Sequence, residues 1–344
     1  MKTIKLTGLH AMELMETPAP EISRDTDVLL RIETVGVCGS DVHYYATGRI
    51  GSQVVKYPFA VGHECSATVA AVGAGVGRLK PGDRVAVEPA MSCGRCDQCQ
   101  GGRPHTCRNL RFLGCPGQAE GCLAEYLIMP EECCYPIPDS MTLDQAALAE
   151  PLSIGLYAVK LCGLGPGMRV GILGAGPIGL SVLLAARMCG VEGICVTDKI
   201  DARLKAARGA GACWAGNPDR EDIVAAIRTR EPLLLDAVFE CCGQQDAIDQ
   251  AVELLKPGGK LMLVGIPTVD RVSFAIDRAR RQELCLQNVR RQNHCVQPAI
   301  AAIASGAANV DFMLTHEFRF EETKAAFDLV HEYRDGVVKA LIRL

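Results

Sequence analysis

The stretch GILGAGPIGLSVLLAARMCG, residues 171–190, constrains the fold more than any other part of the sequence. Gly174, Gly176 and Gly179 stand in G-x-G-x-x-G spacing, after an apolar strand and at the start of a helix. In this pattern the first glycine allows a tight turn, the second lets the backbone approach a pyrophosphate, and the third lets the helix pack on the strand. The helix N-terminus offers free N–H groups to the phosphates. The segment therefore predicts a strand, turn and helix that bind a dinucleotide.

The acid that follows this motif predicts which dinucleotide binds. Asp198 closes the next apolar strand, ICVTD, 24 residues after Gly174. A carboxylate at this place accepts hydrogen bonds from the ribose hydroxyls of NAD and repels the 2′-phosphate of NADP. Arg203 follows five residues later, so some use of NADP stays open. An ordinary strand-turn-helix with packing glycines is the alternative, but the strand, helix and acid together favour NAD.

The texture of the sequence indicates more than one domain. At 344 residues the chain exceeds the length at which a single hydrophobic core stops growing. Residues 28 to about 90 form short strand-like runs broken by glycine turns, which indicates a β-rich module. From about 168 to 290, apolar strands alternate with Ala-rich helices, as in a doubly wound parallel sheet. We therefore expect an α/β protein made of a β-rich domain (1–154, with a cysteine-rich lobe at about 91–110), a doubly wound dinucleotide-type domain (155–285) and a C-terminal part that completes the first domain (286–344).

The four-cysteine run CGRCDQCQGGRPHTC predicts a metal site. Its spacing, C-x2-C-x2-C-x7-C, offers four thiolates, which satisfy tetrahedral zinc completely and leave no position open for a substrate. The run also has features of iron–sulfur ligation, but its fourth spacing differs from that of bacterial ferredoxins. His105 lies inside the run and could compete for the metal, although a fourth cysteine makes it unnecessary. The expected ligands of this structural zinc are Cys93, Cys96, Cys99 and Cys107.

His63 and Glu64 stand side by side in AVGHECSAT, a stretch that is otherwise mostly small and apolar. Burying such groups costs free energy unless each finds a partner. With Cys38 in VGVCGSD and Glu150 in ALAEPLS, they offer a thiolate, an imidazole and carboxylates, a donor set that leaves zinc an open coordination position. Because these residues are far apart in sequence, a buried thiol and a hydrogen-bonded core histidine are an equally good interpretation at this point.

The charge balance disfavours several classes of partner. The chain has 36 Lys and Arg against 40 Asp and Glu, a net charge of −4, and no long block of like charge that would favour nucleic acid or a membrane surface. It has no signal-peptide h-region and no apolar run of the roughly 20 residues that a membrane span needs. Most of the 18 cysteines lie in apolar surroundings typical of reduced core thiols. We expect a cytoplasmic protein.

Several motifs together resemble a known family. GVCGSDVHYYATGRIG, GHECSA, LKPGDRVAVEP, the four-cysteine run, EPLSIG and GAGPIG resemble the zinc-dependent medium-chain dehydrogenases, specifically the sorbitol, xylitol and polyol dehydrogenase branch. The resemblance covers essentially the whole chain. It implies a GroES-like catalytic domain around a Rossmann domain, a catalytic and a structural zinc, NAD rather than NADP, a small polyol substrate, and a homodimer or homotetramer.

The resemblance also assigns metal and cofactor roles. It implies that Cys38, His63 and Glu64 hold the catalytic zinc, and that Glu150 is bridged to it through water or exchanges with that water as a ligand. Related alcohol dehydrogenases have a second zinc-binding cysteine near the position of Glu150, and its absence here favours the polyol branch. The residues that match dinucleotide contacts are Gly174, Gly176, Ile178, Gly179, Asp198, Arg203, Val264, Gly265 and Ile266.

Four further residues match substrate contacts of the family, and a fifth, Arg291, departs from the family pattern. Ser40 and His43 match the hydroxyl contact and the proton relay, and Tyr44 matches a substrate-contacting tyrosine. Sorbitol dehydrogenases carry an Arg-Tyr pair after the last Rossmann strand, whereas this chain reads NVRRQN. Arg290 fits the family arginine, which contacts cofactor and polyol. Arg291 either favours an acidic sugar derivative or points into solvent.

These residues predict oxidation of a secondary alcohol of a polyol to a ketose, with hydride transfer to NAD⁺. Zinc lowers the pKa of a coordinated hydroxyl, and the proton leaves through Ser40, His43 or a water held by Glu150. Another secondary alcohol, such as L-threonine or L-idonate, is the alternative substrate, although CGSDVHYY and GRIG look polyol-like. A zinc-stabilised NAD-binding protein without turnover is the remaining alternative, which the intact open-site ligands disfavour.

Overall fold

The computed structural model describes the whole chain and separates it into two compact units. The helix Ala149–Cys162 runs through the first division between them, which the sequence texture placed slightly later, at residue 154. The sequence pattern predicts the second division at residue 285, and in the structure the main segment of unit 2 extends to Cys295. Unit 1 consists of Met1–Glu150, Val296–Gly306 and Leu314–Leu344, and unit 2 consists of Pro151–Cys295 and Ala307–Met313.

The helices and strands follow in chain order. Residues 1–148 contain β1 (Lys2–Gly8), β2 (Ala11–Glu16), β3 (Asp27–Gly36), α1 (Gly39–Thr47), β4 (Arg49–Ile50), β5 (Gln53–Val54), β6 (Glu64–Val72), β7 (Arg84–Val87), β8 (Ala90–Met91), α2 (Asp97–Gln100), β9 (Arg111–Phe112), β10 (Tyr126–Pro130), β11 (Cys134–Pro136) and α3 (Leu143–Ala147). Residues 149–295 contain α4 (Ala149–Cys162), β12 (Arg169–Leu173), α5 (Pro177–Met188), β13 (Gly193–Thr197), α6 (Asp201–Gly209), β14 (Trp214–Gly216), α7 (Ile223–Arg230), β15 (Leu235–Glu240), α8 (Gln245–Leu254), β16 (Leu255–Leu263), α9 (Ile276–Arg281) and β17 (Cys285–Asn288). The remaining elements are α10 (Val296–Ala304), β18 (Leu314–Arg319), α11 (Thr323–His331) and β19 (Lys339–Arg343). None of the helices combines the length and apolarity that crossing a membrane requires.

Unit 1 is built on a seven-stranded sheet in the order β11-β7-β6-β3-β19-β18, with β10 also paired to β3. Strand β19 lies inside this sheet, antiparallel to β3 and parallel to β18. Apolar side chains from distant parts of the sequence, among them Leu30, Val85 and Ile342, share one buried core. Burial of this apolar surface is the main force that holds the sheet together, so the C-terminal strand is part of the N-terminal unit.

Unit 2 contains a six-stranded parallel sheet in the order β14-β13-β12-β15-β16-β17. When the strands of this unit are numbered from one to six, the order is 3-2-1-4-5-6, which is that of a Rossmann sheet. Strands β12 and β13 are almost entirely buried, as strands covered on both faces must be. The predicted doubly wound sheet is confirmed. Ligands of such sheets bind at the carboxyl ends of the strands where the order reverses, here β12 and β15.

Candidate active site

The glycine turn of unit 2 has the geometry that its spacing predicts. Gly174 adopts φ +104°, a conformation that favours glycine, and α5 begins directly after Gly176. A Cβ on Gly179 would lie 1.8 Å from the carbonyl oxygen of Gly174, so only glycine lets the helix pack this close to the turn. The first amide groups of α5 therefore lie at the carboxyl end of β12, where a Rossmann sheet binds phosphate.

Asp198 follows β13 and is held by two backbone amides. Its Oδ2 accepts a hydrogen bond from Ala175 N at 2.7 Å, and its Oδ1 accepts one from Ile200 N at 2.9 Å. The carboxylate is thus tied to the glycine turn itself, and each oxygen keeps a further lone pair for a ribose hydroxyl. Arg203 lies buried in α6, and its Nη1 is 3.6 Å from the position of a Cβ on Gly176.

Glu240, the last residue of β15, organises the segment that follows β16. Its carbonyl oxygen accepts hydrogen bonds from Val264 N and Gly265 N, both at 2.9 Å. Its Oε1 accepts hydrogen bonds from Cys242 N at 2.8 Å and Gly243 N at 2.6 Å. Glu240 is not among the residues predicted from the sequence. The sequence signal for Glu240 is its position at the end of the apolar strand LDAVFE, as Asp198 stands at the end of ICVTD.

The remaining residues assigned to cofactor or substrate in unit 2 differ in exposure. Ile178 is half-buried in the first turn of α5, and Ile266 is exposed. Arg290 is exposed, whereas Arg291 is half-buried, has φ +55°, and keeps its Nη1 out of contact with solvent. The surrounding chain thus covers part of the Arg291 guanidinium group.

The four-cysteine lobe of unit 1 converges as its spacing predicts. Cys96 Sγ lies 3.6 Å from Cys99 Sγ. A hydrogen bond from the backbone N–H of Arg95 is the largest of several that lower the pKa of Cys93 to about 6, so its thiolate forms readily near neutral pH. His105 is buried but does not belong to the converging set. The residues whose sulfur atoms all lie within 4.8 Å of one another are Cys93, Cys96, Cys99 and Cys107.

A second set of donors meets elsewhere in unit 1. Cys38, which precedes α1, His63 and Glu64, the first residue of β6, each place one ligand atom within 4.8 Å of the other two. Gly62 has φ +98°, so the chain turns just before His63 and both neighbouring side chains reach the same place. In a regular strand they would point to opposite faces. A thiolate, an imidazole and a carboxylate fit zinc and leave one position open.

Gly36 makes room for the carboxylate of this set. It lies opposite Glu64 in the pairing of β3 with β6. A Cβ on Gly36 would lie 2.4 Å from Glu64 Oε2, so any larger residue would push the carboxylate away from the thiol and the imidazole. Only the register of the two strands shows this role.

Asp41, in the first turn of α1, orients His63. Its Oδ1 lies 3.3 Å from His63 Nδ1 and accepts a hydrogen bond from Gly62 N at 3.1 Å. A carboxylate on Nδ1 leaves Nε2 as the ligand atom, an arrangement common to metal-bound histidines. Burial disfavours protonation of His63, but Asp41 and the neighbouring Cys38 outweigh it and raise its pKa well above the usual value. Asp41 is not among the residues predicted from the sequence, although it stands in the CGSD motif.

Lys339, the first residue of β19, is completely buried beside Glu64. Its Nζ donates to Glu64 Oε2 at 2.5 Å and to Val37 O at 3.1 Å. Nothing in the local sequence identifies this lysine, because its partner carboxylate lies 275 residues earlier in the chain.

Glu150, in the first turn of α4, is buried but lies outside the converging set. Burial raises its pKa to about 8, although the nearby His63 opposes this rise. Glu64, rather than Glu150, is therefore the carboxylate that the fold brings to the thiol and the imidazole.

Helix α1 carries the residues matched to proton transfer and substrate. Ser40 Oγ donates to Cys38 Sγ at 3.4 Å. His43 is half-buried, and burial lowers its pKa, so its ring is mainly neutral at pH 7. Tyr44 is buried and its hydroxyl donates to Gln53 Oε1 at 3.1 Å.

Comparison with known proteins gives consistent matches along the chain. Residues 24–139 match the alcohol dehydrogenase GroES-like domain family, and residues 177–305 match the zinc-binding dehydrogenase family. The chain is 34% identical over 343 residues to sorbitol dehydrogenase of Bacillus subtilis (strain 168), which covers 99% of this chain and 97% of that relative. It is 34% identical over 322 residues to L-idonate 5-dehydrogenase of Vitis vinifera, covering 92% of this chain and 87% of that relative.

A solved structure agrees in fold over nearly the full length. The crystal structure of an Escherichia coli oxidoreductase/dehydrogenase of unknown specificity has a TM-score of 0.94 at 33% identity, and covers 99% of this chain and 98% of that chain. The glycine turn directly precedes α5, and both sets of donor residues converge within unit 1. The chain belongs to the zinc-dependent medium-chain dehydrogenases, in their polyol dehydrogenase branch.

Proposed function

We propose that this chain oxidises a secondary hydroxyl of a sorbitol- or xylitol-type polyol to a ketone, with NAD⁺ as hydride acceptor. The observation that carries the proposal is the convergence of Cys38, His63 and Glu64, because three protein ligands leave one position of zinc for a substrate hydroxyl. Glu150, in place of the further cysteine of related alcohol dehydrogenases, supports the polyol branch.

The residues present fit both zinc and NAD⁺. When bound, zinc acts as a Lewis acid that acidifies a substrate hydroxyl, and NAD⁺ at the glycine turn accepts the hydride. Asp41 holds His63 with Nε2 available as a ligand. His43 is mainly neutral at pH 7 and so can accept a proton at a ring nitrogen. The pKa of Glu150, about 8, lets its carboxyl group take up or release a proton near physiological pH.

The preference for NAD over NADP rests on Asp198. Two backbone amides, one from the glycine turn and one from Ile200, hold its carboxylate in place. A fixed negative charge repels a 2′-phosphate, and moving it away would break both hydrogen bonds. We expect Asp198→Ala to lower kcat/KM with NAD⁺ by about tenfold, since hydrogen bonds to charged groups contribute about 1.5–3 kcal/mol. The ratio of NAD⁺ to NADP⁺ efficiency measures this effect.

A sugar acid is the second candidate substrate. Arg291 keeps part of its guanidinium group away from solvent, and a planar guanidinium binds a carboxylate through two parallel hydrogen bonds. The similarity to an L-idonate 5-dehydrogenase supports the same class. If a sugar acid is the substrate, Arg291→Gln raises its KM and leaves the KM of neutral polyols unchanged.

We propose that the chain forms a homo-oligomer through unit 2. Strand β17 is the edge of the six-stranded sheet, and an unpaired edge offers backbone N–H and C=O groups to another strand. Leu286 on β17 and Ile276 at the start of α9 are exposed apolar residues of the same unit. Sedimentation or light scattering of the purified protein gives the oligomeric state, and a monomer at micromolar concentration contradicts this proposal.

A substrate panel tests the proposed reaction. Purified protein is assayed with sorbitol, xylitol, L-idonate and L-threonine, each with NAD⁺ and with NADP⁺, by the absorbance of the reduced nicotinamide. We expect the highest kcat/KM with a neutral polyol and NAD⁺. Turnover of L-threonine alone, or no turnover of any secondary alcohol by zinc-loaded protein, would contradict the proposal.

A metal count separates the two donor sets. We expect two zinc ions per chain, one for each converging set. We call Cys38, His63 and Glu64 the mixed set. A chelator that removes only the zinc at the mixed set should abolish turnover and leave the fold intact, because that zinc has an open position and exchanges more readily.

A further inference from the structure

Lys339 carries a positive charge into the interior of unit 1. Its side chain is 1% exposed, and so is that of its partner Glu64. Taking two charges out of water costs several kcal/mol per ion, so such a pair persists only when geometry and further hydrogen bonds compensate. Here the Nζ atom donates to Glu64 Oε2 and to Val37 O, the backbone group just before Cys38. The lysine therefore contacts both a ligand and the chain that leads to a second ligand.

The Glu64 carboxylate has little freedom to leave this position. Gly36 lies opposite it on β3, and a Cβ atom on Gly36 would be 2.4 Å from Glu64 Oε2. The same carboxylate places an oxygen within 4.8 Å of Cys38 Sγ and of a ring nitrogen of His63. One carboxylate thus faces a fixed ammonium group and the place where a metal ion binds.

We infer that Lys339 is a positioning residue that competes with the metal for the Glu64 carboxylate, and thereby keeps Glu64 a weak ligand. The inference rests on the proposed catalytic zinc site. A carboxylate that donates electron density to an ammonium group is a poorer ligand, so the lysine weakens the bond between Glu64 and zinc. A weak ligand leaves the fourth position of zinc available to a substrate hydroxyl.

The Lys339 ammonium group and the zinc ion are then alternative partners of the buried Glu64 carboxylate. Without metal, Lys339 is the ammonium partner of Glu64, and its loss removes the buried ion pair that this carboxylate makes. With metal, zinc supplies the positive charge that a protein without Lys339 lacks. A variant without Lys339 therefore regains stability when it binds zinc. Binding of zinc and the presence of Lys339 are therefore coupled with opposite sign, and such couplings commonly correspond to factors of about 5–150.

The test measures zinc itself and does not depend on turnover. Lys339→Met is compared with the wild-type protein for the rise in Tm on zinc addition and for the rate at which a chelator removes zinc from the mixed site. We expect a larger rise in Tm and about tenfold slower release in the variant. Lys260→Met is the matched control, because Lys260 is a partly buried lysine of unit 2 whose Nζ donates to a carbonyl oxygen, Cys162 O.

Two further variants separate competition from simple damage to the fold. In a Glu64→Gln background, Lys339→Met should no longer slow zinc release, because the shared carboxylate is gone. If Lys339→Met does not fold, Lys339→Gln takes its place, since it removes the charge and keeps a hydrogen-bond donor. Lys339→Arg keeps the charge and should restore fast zinc release.

The cobalt-substituted protein gives a spectroscopic readout that a merely structural role would not change. Loss of Lys339 should alter the visible spectrum of cobalt at the mixed site, and Lys339→Arg should restore it. An unchanged or smaller zinc-induced rise in Tm, or unchanged or faster zinc release, in Lys339→Met would overturn the inference and leave the proposed function standing. A wild-type protein that binds zinc only at the four cysteines would overturn both.

Discussion

The two donor sets of unit 1 differ in how the chain assembles them. All four ligands of the cysteine lobe come from residues 93–107, and three of them are half-exposed. The mixed set brings Cys38, before α1, to His63 and Glu64, at the start of β6, in a largely buried place. Lys339, which contacts Glu64, comes from the other end of the chain. The lobe is a local site that its own loop defines. The mixed set depends on how distant parts of the chain pair in the sheet. This difference in assembly distinguishes a stabilising metal site from one able to perform chemistry.

The largest expected effect sharpens this contrast at the mixed set. Cys38→Ser replaces the thiolate ligand and should lower kcat/KM by about 10³-fold or more, equivalent to roughly 4 kcal/mol of lost transition-state stabilisation. The variant should keep one zinc per chain at the cysteine lobe. Turnover and metal content measure both effects, with Cys162→Ser, a buried cysteine of unit 2, as control. Full activity in Cys38→Ser would contradict the assignment of the site.

The next effect tests the lobe. Cys96→Ser removes one of four thiolates and should lower the free energy of unfolding by about 4 kcal/mol or more, because loss of a structural metal is among the most damaging changes. Turnover per folded molecule should change little. Denaturant unfolding measures the loss, and Cys189→Ser, at an exposed cysteine, is the control. A variant that is stable yet inactive would break the comparison, because the lobe would then take part in the reaction.

A smaller effect is expected behind the ligands. Asp41→Asn weakens the hydrogen bond that orients His63 and should reduce zinc affinity or kcat/KM by about 10–100-fold. Asp27→Asn is the matched control, since Asp27 is an equally buried carboxylate of unit 1 that pairs with Arg24. Competition for zinc with a chromogenic chelator measures the affinity. Equal losses in both variants would show a general cost of removing a buried charge.

The smallest effect is the pH dependence of stability after zinc is removed. Burial raises the pKa of Glu150 to about 8 from an ordinary 4.5, so between these values the folded state holds a proton that the unfolded state has released. Stability therefore falls as pH rises through this window. Glu150→Gln should flatten the dependence, so that the variant gains stability over the wild type at pH 8 relative to pH 5. Urea unfolding of chelator-treated protein measures it, and an unchanged slope contradicts the assignment.

Sequence reasoning succeeded where residues act close together in the chain. The glycine turn with Asp198 and the four-cysteine lobe are both contained in short segments, so their spacing defines their geometry. In the structure the four cysteine sulfur atoms converge, and Asp198 is hydrogen-bonded to the glycine turn. The parallel sheet of unit 2 follows from the alternation of apolar strands and helices.

The remaining features depend on strand register and on distant contacts. Gly36 matters only because β3 pairs with β6 in one register, and Lys339 matters only because β19 lies beside β3. Their letters look like an ordinary glycine and an ordinary surface lysine. Glu240 and Asp41 could have been identified from the sequence. Glu240 stands at the end of an apolar strand, and Asp41 stands inside the CGSD motif.

The position of Lys339 on β19 has a consequence for synthesis of the protein. Glu64 is translated 275 residues before the lysine that neutralises it. At about 5–20 residues per second, a ribosome needs on the order of 15–55 s to cover that distance. During this interval the nascent chain carries an acidic ligand without its partner, and β3 lacks one neighbouring strand. Metal capture before release of the chain would therefore occur on a carboxylate that has not yet met its competitor.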